Sequence, residues 1–266
     1  MIDCHTHTKY SADGVNCAEE IISAAAEKGL EYIAITDHVD IGYPKRYGFN
    51  EGVPDLAAYK ASLWPLKEKY SRKIYVAIGA EIGWTPENQG RNTEMLRGSR
   101  LEYIINSVHA AGTADPYYPD YFHGRDKRAA YKQYLKCVLD SLYAPYRFHA
   151  VAHIGYVGRN APYADKTMKC GEYGDIIDEI LQKIIRAGRI VEINTHVYNL
   201  RCPTMPGADI LKRYRELGGE YVTFASDAHS ADKLLRGYGQ AVETAEQCGF
   251  KEWTVIKNGR KTTAPF

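Results

Sequence analysis

The sequence predicts an α/β fold in which parallel strands, each followed by a helix, close into a barrel. Short β-branched or apolar runs alternate with segments of helical period about seven times in 266 residues, as in proteins built from repeated strand–helix units. Three predicted helices end at Gly29, Gly188 and Gly218, and a predicted strand follows each glycine closely. No G-x-G-x-x-G motif follows the first strand, which disfavours the alternative of an open, doubly wound sheet.

The predicted elements follow one another without a Ser/Gly-rich linker or an internal repeat. Predicted strands cover residues 2–4, 32–36, 74–81, 103–108, 149–153, 190–194 and 221–226. Predicted helices cover residues 18–28, 55–70, 127–141, 173–187, 209–217 and 232–248. The longest irregular stretches, 40–54, 84–100, 110–126 and 155–171, follow predicted strands, at the end where a parallel barrel has its active-site loops. We therefore expect one domain over residues 1–266.

The composition excludes several classes of function. The chain has 34 Lys and Arg against 33 Asp and Glu, a net charge of +1, so it lacks the general basicity of a nucleic-acid-binding protein. No apolar run approaches the roughly 18 residues that a membrane span needs, and no signal peptide is visible at the start. Six irregularly spaced cysteines do not resemble a secreted disulfide framework. We expect a cytoplasmic protein with no membrane or nucleic-acid partner, and the oligomeric state stays open.

Residues that bind metals stand at the ends of the predicted strands. The first strand leads into His5 and His7, and the alternation of a strand points both imidazoles to one face. The other predicted strand ends have His38, Glu81, His109, His153, Asn194 with His196, and Asp227 with His229. One such histidine is more often a packing or surface residue. The repetition of such residues at successive strand ends, which parallel packing brings to one rim, predicts a metal centre.

The residue types suggest the chemistry of this centre. Neutral imidazoles and carboxylates bind Zn, Mn and Fe, and a carboxylate can bridge two ions. The candidate ligands exceed what one ion needs, so two or three divalent ions are expected. Ions about 3.5–4 Å apart stabilise the attacking and leaving oxygens of a phosphoryl displacement and activate a bound water.

These motifs resemble the PHP (polymerase and histidinol phosphatase) family of metallophosphoesterases. They occur in the family's order: Asp3-Cys4-His5-Thr6-His7, Thr36-Asp37-His38, Gly79-Ala80-Glu81, Ser107-Val108-His109, the segment around His153, and Ser226-Asp227-Ala228-His229. The resemblance implies a distorted (β/α)7 barrel, similar to a TIM barrel, with three metal ions. The implied ligand sets are His5, His7, Glu81 and Asp227 for one ion, Glu81, His109 and His153 for a second, and Asp13, His38 and His229 for a third. Asp13 is alternatively a plain turn residue in Ser11-Ala12-Asp13-Gly14.

Further segments resemble the histidinol-phosphate phosphatase branch of the family. They are Tyr131-Lys132-Gln133-Tyr134-Leu135, Glu192-Ile193-Asn194-Thr195 and a hairpin-like ending from Gly249 to Lys261. In that branch two arginines hold the substrate phosphate, and Arg159 and Arg201 stand at the matching positions beside Asn194. His196 replaces a usually smaller residue, and the aromatic segment 116–123 is also unusual. His196 is a candidate proton donor, a substrate contact or a cap of the barrel.

The resemblance implies an enzyme that hydrolyses L-histidinol phosphate to L-histidinol and phosphate, a step of histidine biosynthesis. A metal-activated hydroxide would attack, and the candidate catalytic residues are His196, Glu81 and Asp227. One alternative is a phosphoesterase for another small phosphate ester or a nucleotide. A non-catalytic metal-binding module would be expected to have lost ligands. An amidohydrolase barrel would usually have a lysine or glutamate at a later strand end, and the Asp37-His38 motif favours the PHP family instead.

Overall fold

Parallel strands form a nearly closed barrel in the structure, a computed structural model that describes residues 1–48, 55–197 and 202–266. The strands are β1 (Ile2–Thr6), β2 (Tyr32–Ile35), β3 (His38–Val39), β4 (Tyr75–Gly83), β5 (Tyr103–Ser107), β6 (Ala150–Val151), β7 (Ile190–Asn194) and β8 (Val222–Ala225). Their order is β1-β2-β4-β5-β6-β7-β8, with β3 paired to β4. The parallel bridge between Thr6 and Ala228 joins the two ends of this path. The predicted barrel of seven parallel strands is confirmed.

Helices follow the strands and pack their apolar faces on the barrel. They are α1 (Ala18–Glu27), α2 (Leu56–Tyr70), α3 (Gln89–Leu96), α4 (Lys127–Ser141), α5 (Gly174–Arg186), α6 (Ala208–Glu216) and α7 (Tyr238–Gln247). In α5, Ile177, Ile180, Leu181 and Ile184 recur at helical spacing and are buried. No helix in the described ranges is long and apolar enough to cross a membrane.

Several predicted boundaries were wrong, each for a local reason. The stretch 84–100 is not wholly irregular, because it contains α3, a polar helix whose single buried residue is Asn92. The last predicted helix begins at Tyr238 rather than at 232, since Leu235 and Gly237 have φ angles of 61° and 68°. The predicted strand 149–153 is reduced to β6, and His153 follows it with a φ of 23°.

An antiparallel hairpin of β9 (Glu252–Lys257) and β10 (Arg260–Pro265) ends the chain, as the resemblance implied. Asn258 and Gly259 connect the strands with φ angles of 52° and 74°, the left-handed pair that a tight two-residue hairpin turn requires. Backbone and side-chain atoms of the hairpin contact Tyr32, Tyr75 and Gly188, at or near the amino ends of β2, β4 and β7. The hairpin therefore covers the end of the barrel opposite to the carboxyl rim. The prediction of one domain over 1–266 stays a prediction.

His149 gives the fold a pH dependence that can be measured. Its Nδ1 accepts a hydrogen bond from the backbone N–H of Ile104 at 3.0 Å. Burial, with Arg147 and Arg189 nearby, lowers the pKa of His149 to about 4. Because an unfolded histidine has a pKa of about 6.5, protons bind the unfolded state preferentially between these values. The His149 contribution to the free energy of unfolding is thus present above about pH 6.5 and is lost progressively as the pH falls from 6.5 to about 4.

We expect the variant His149→Asn, whose amide oxygen can accept the same hydrogen bond, to lose this dependence. Between pH 7 and pH 4.5 the free energy of unfolding of the wild type should fall by about 2 kcal/mol more than that of the variant. Urea unfolding of both proteins at the two pH values measures the difference, and the comparison cancels the other titrating groups. Parallel pH curves for the two proteins would contradict the assignment.

Candidate active site

The carboxyl ends of the strands surround a cavity of about 350 Å³. The structure brings the nine predicted metal ligands together at this rim: His5, His7, Asp13, His38, Glu81, His109, His153, Asp227 and His229. Six of them are buried, whereas Asp13 is exposed and His38 and His229 are half-buried. The ring of His229 stacks on that of His7. Parallel strands explain the gathering, because their carboxyl ends lie at one edge.

The first group of side chains is fully buried at the centre of the rim. The Nε2 atoms of His5 and His7 lie 3.2 and 3.6 Å from Oε2 of Glu81. The same two nitrogens lie 3.9 and 3.4 Å from Oδ1 of Asp227. The four residues therefore present two imidazole nitrogens and two carboxylate oxygens around one point, which is the donor set of a divalent metal.

The second group uses the other oxygen of Glu81. Its Oε1 atom lies 3.1 Å from Nε2 of His109 and 2.9 Å from Nε2 of His153. Ser107 also donates a hydrogen bond to Oε1 at 2.6 Å. The carboxylate of Glu81 thus faces a different pair of histidines with each oxygen, as a bridging ligand does.

The third group lies nearer the solvent. Oδ1 of Asp13 is 3.8 Å from Nε2 of His38, and Oδ2 is 3.2 Å from Nε2 of His229. Burial acts to raise the pKa of Asp13, but the hydrogen bond to His229 and the charge of His38 hold it well below its usual range. Nδ1 of His38 also lies 2.9 Å from Oε2 of Glu81, a contact that the implied ligand sets did not include.

Orphaned buried atoms indicate that the first group fits a cation. Nε2 of His5, Nε2 of His7 and Oε2 of Glu81 are buried and make no hydrogen bond within the described parts of the chain, an arrangement that is costly unless something binds there. Burial, with His229 and His38 nearby, lowers the pKa of His7 well below its usual value, so its imidazole is neutral, the form that can bind a metal. Burial raises the pKa of Glu81, but His5, His109 and His38 hold it well below its usual range, so Glu81 is ionised.

Three side chains that were not among the predicted site residues contact Nδ1 of a histidine, the ring nitrogen that does not face the carboxylates of Glu81 and Asp227. Nδ1 of His5 pairs with Oε2 of Glu192 at 2.7 Å. Nδ1 of His109 pairs with Oδ1 of Asp40 at 2.8 Å, and Nδ1 of His7 with Oγ of Ser11 at 3.0 Å. Such partners fix the ring orientation and tautomer of a metal-binding histidine. Glu192 and Asp40 lie two residues from Asn194 and His38, a spacing that is not distinctive enough to predict their role.

Asp37 holds the loop that places His7 and Asp13. Its Oδ1 accepts the backbone N–H groups of Thr8 at 2.7 Å and Ser11 at 3.1 Å. The hydroxyl of Ser11 donates to the same oxygen at 2.7 Å. One buried carboxylate therefore organises the turn after β1, and the buried Tyr59 hydroxyl donates to its other oxygen at 3.1 Å.

The residues predicted to bind the substrate phosphate or to act beside it surround one oxygen of Asp227, Oδ2, which is called its outer oxygen below. Nη2 of Arg159 is 2.9 Å from Oδ2, and Nδ1 of His196 is 3.3 Å from it. Nδ2 of Asn194 is also 3.3 Å from Oδ2 and donates to Glu192 at 2.8 Å. Burial lowers the pKa of His196, partly offset by Asp227. Arg201 lies outside the described residues.

The aromatic segment 116–123 contributes to the cavity wall, where Tyr117 and Tyr118 line it. Tyr118 stacks on Tyr47, with ring centroids 4.0 Å apart, and Asp120 is 2.9 Å from Arg46. The loops after β3 and β5 are thereby joined over one side of the cavity. These contacts account for some of the 22 tyrosines of the chain.

Comparisons with known proteins agree with this geometry. A family model described as the PHP domain matches residues 3–196. A probable histidinol-phosphatase from Clostridium acetobutylicum is 34% identical over 253 residues, covering 94% of this chain and 95% of that protein. The histidinol-phosphatase of Lactococcus lactis subsp. lactis is 27% identical over 94% of this chain and 92% of its own length.

Solved structures extend the similarity to three dimensions. The crystal structure of the Lactococcus lactis histidinol phosphate phosphatase, complexed with zinc, L-histidinol and phosphate, matches with a TM-score of 0.89. The identity is 26%, and the match covers 98% of both chains. A putative histidinol phosphatase from Listeria monocytogenes has the same fold, with a TM-score of 0.77 at 19% identity over 90% of this chain and 99% of that one.

Proposed function

The chain belongs to the PHP domain family, and from this premise we propose that it is a metal-dependent phosphomonoesterase that hydrolyses L-histidinol phosphate to L-histidinol and phosphate. The observation that carries the proposal is the position of Glu81, whose two oxygens face different histidine pairs on the floor of a cavity that Arg159 also lines. The Lactococcus structure, which contains zinc, L-histidinol and phosphate, supports the choice of substrate.

We assign the three groups of side chains as ligand sets for two or three divalent ions. His5, His7, Glu81 and Asp227 form the first set, and Glu81 with His109 and His153 forms the second. Asp13, His38 and His229 form the third and most accessible set. Zinc, manganese and iron all suit these donors. Ions held there would supply the Lewis acidity and the activated water that phosphate ester hydrolysis requires.

The other residues bind and orient the substrate. Arg159 is only 9% exposed, so its guanidinium would bind phosphate oxygens in a site with little competing water. Asn194 and His196 fix the outer oxygen of Asp227 together with Arg159. Burial favours the neutral form of His196. A dianionic phosphate beside the ring would raise the pKa of His196 and favour its protonated form. In that form His196 could donate a proton to the leaving oxygen. We propose a substrate-binding role for Arg201 by position in the sequence alone.

The cysteines favour a reducing compartment. All six are free thiols, which suits the proposed cytoplasmic location. The proposed partner is a small phosphorylated metabolite.

Phosphate release tests the proposed function directly. The protein is freed of metal, reloaded with zinc or manganese, and assayed with L-histidinol phosphate beside a nucleotide and simple phosphate esters. We expect L-histidinol phosphate to have the highest kcat/KM and metal analysis to find two or three ions per chain. Absence of phosphate release up to millimolar substrate with every divalent metal would refute the proposal. A higher kcat/KM for the nucleotide would keep the phosphoesterase activity but replace L-histidinol phosphate as the proposed substrate.

Glu192 offers a test of the first ligand set that does not depend on activity. In Glu192→Gln the amide keeps the size of the side chain but removes the negative charge behind His5. We expect metal affinity, measured by competition with a chelator, to fall about 10- to 100-fold. The control Glu102→Gln removes another partly buried glutamate, which pairs with Lys67, and should leave metal affinity unchanged. Equal affinities for wild type and Glu192→Gln would contradict the role of Glu192.

A further inference from the structure

A buried carboxylate that takes no part in the three ligand groups lies in the wall of the same cavity. Asp115 is 3% exposed and lines the cavity beside Tyr117 and Tyr118. Its Oδ1 accepts hydrogen bonds from the hydroxyl of Tyr156 at 2.9 Å and the backbone N–H of Tyr117 at 2.7 Å. The hydroxyl of Tyr43 donates to Oδ2. These three donors fix the plane of the carboxylate on the cavity surface.

Asp115 forms no ion pair with a side chain of the described ranges. The partners of its two oxygens there are neutral tyrosine groups. Burial raises the pKa of Asp115, although the tyrosine hydrogen bonds and the charge of His109 act in the opposite direction. A buried carboxylate without a paired cation is costly. A ligand that brings a positive charge to this wall would remove part of that cost.

Tyr156 connects this wall to the phosphate end of the cavity. Its hydroxyl binds Asp115, and its ring lies 5.8 Å from the ring of His109 and 5.1 Å from that of His153. The guanidinium carbon of Arg159 is 4.9 Å from the centre of the same ring. Arg159 and Asp115 therefore contact the ring and the hydroxyl of one tyrosine, so an ester whose phosphate bound near Arg159 would have Asp115 within reach of its alcohol part.

We propose that Asp115 binds a protonated nitrogen on the alcohol part of the substrate, so that the cavity selects phosphomonoesters of cationic alcohols. This inference rests on the proposed function, because it uses the same cavity and the same phosphate end. In L-histidinol phosphate the nitrogen is either the ammonium group or the protonated imidazole. The tyrosines beside Asp115 provide aromatic surface for the rest of the alcohol.

Four phosphate esters of similar size separate these sources of charge. L-Histidinol phosphate has both groups, and phenylalaninol phosphate has only the ammonium. The ester 3-(imidazol-4-yl)propyl phosphate has only the imidazole, and 3-phenylpropyl phosphate has neither. We expect the wild type to hydrolyse at least one singly charged ester with a kcat/KM about 10-fold or more above that of 3-phenylpropyl phosphate. The ester that retains this preference identifies the nitrogen that Asp115 binds.

The variant Asp115→Asn tests the residue itself. We expect its kcat/KM for the preferred cationic ester to fall about 10- to 100-fold. The fold-decrease in kcat/KM for 3-phenylpropyl phosphate should be at least about tenfold smaller. The matched control is Asp120→Asn, because Asp120 lies in the same loop and also accepts from a tyrosine hydroxyl, that of Tyr47, but is far more exposed. Asp120→Asn should keep the wild-type selectivity.

The outcomes are distinct for the two proposals. If Asp115→Asn lowers kcat/KM for all four esters by the same factor, Asp115 is not a cation-binding residue. The same conclusion follows if the wild type shows no preference for cationic esters. If the wild type prefers phenylalaninol phosphate but releases no phosphate from L-histidinol phosphate, the proposed substrate fails and the role of Asp115 stands. Should Asp115→Asn not fold, the wild-type comparison and Tyr43→Phe, which removes one donor to Asp115, decide the question. Unchanged selectivity in Tyr43→Phe, or the absence of a wild-type preference for cationic esters, would then overturn the inference.

Discussion

Replacement of Glu81 by glutamine is expected to lower kcat/KM for phosphate ester hydrolysis about 1,000-fold or more. Each oxygen of Glu81 faces a different histidine pair, and an amide can supply only one neutral oxygen to the two groups. Since a bound ion can contribute several kcal/mol of transition-state stabilisation and about 1.4 kcal/mol equals one factor of ten, the loss of either proposed ion would account for this decrease.

Metal content and thermal stability provide independent measurements of Glu81→Gln. Wild-type protein should gain Tm when the ions are added, because a ligand that binds only the folded state stabilises it. The variant should bind fewer ions and gain less. Ser107→Ala is the control, since it removes only the hydrogen bond to Oε1 and should retain most of the metal. A variant with full metal content and wild-type kcat/KM would exclude a bridging role for Glu81.

Replacement of Arg159 by methionine is expected to lower kcat/KM about 100- to 1,000-fold without loss of metal. The guanidinium is buried against Asp227 and the face of Tyr156, and methionine fills similar space without donors. Removing one well-placed donor for the transition-state charge typically costs this much. The combination of low activity and full metal content distinguishes this variant from Glu81→Gln.

Inhibition by inorganic phosphate measures the same contact without turnover. We expect the inhibition constant of phosphate to rise in Arg159→Met. Arg159→Lys should recover only part of the affinity, because lysine keeps the charge but lacks the planar fork of the guanidinium. An unchanged inhibition constant in Arg159→Met would show that Arg159 does not bind the phosphate.

The main features of the fold and site could be predicted because they depend on simple periodicities. Alternation along β1 places His5 and His7 on one side, and parallel strands bring their carboxyl ends to one rim. Asp40 and Glu192 could not be found in this way, since a carboxylate two residues from a predicted ligand has no distinctive pattern until distant histidine rings reach it. Asp115 required the structure for the same reason, because its tyrosine partners come from three different loops.

The boundaries that were wrong depended on tertiary contacts and local backbone angles. The predicted second strand ran through residue 36, but β2 ends at Ile35, and His38 belongs to β3, which pairs with β4 beside Glu81. No residue type near 36 signals this break. The left-handed angle of Leu235 is equally invisible in the sequence, since leucine rarely adopts it.

The hairpin of β9 and β10 has a consequence for how ions and substrate share access. Because it covers the amino ends of β2, β4 and β7, the opening at the carboxyl rim would serve as the route for the proposed ions as well as for the ester. Order of addition then matters: ions added first reach their ligands freely, whereas an ester or phosphate already seated above them obstructs the path. Reconstitution in phosphate buffer should accordingly be slower than in a buffer without phosphate, and product left in the cavity should delay the escape of the ions to a chelator.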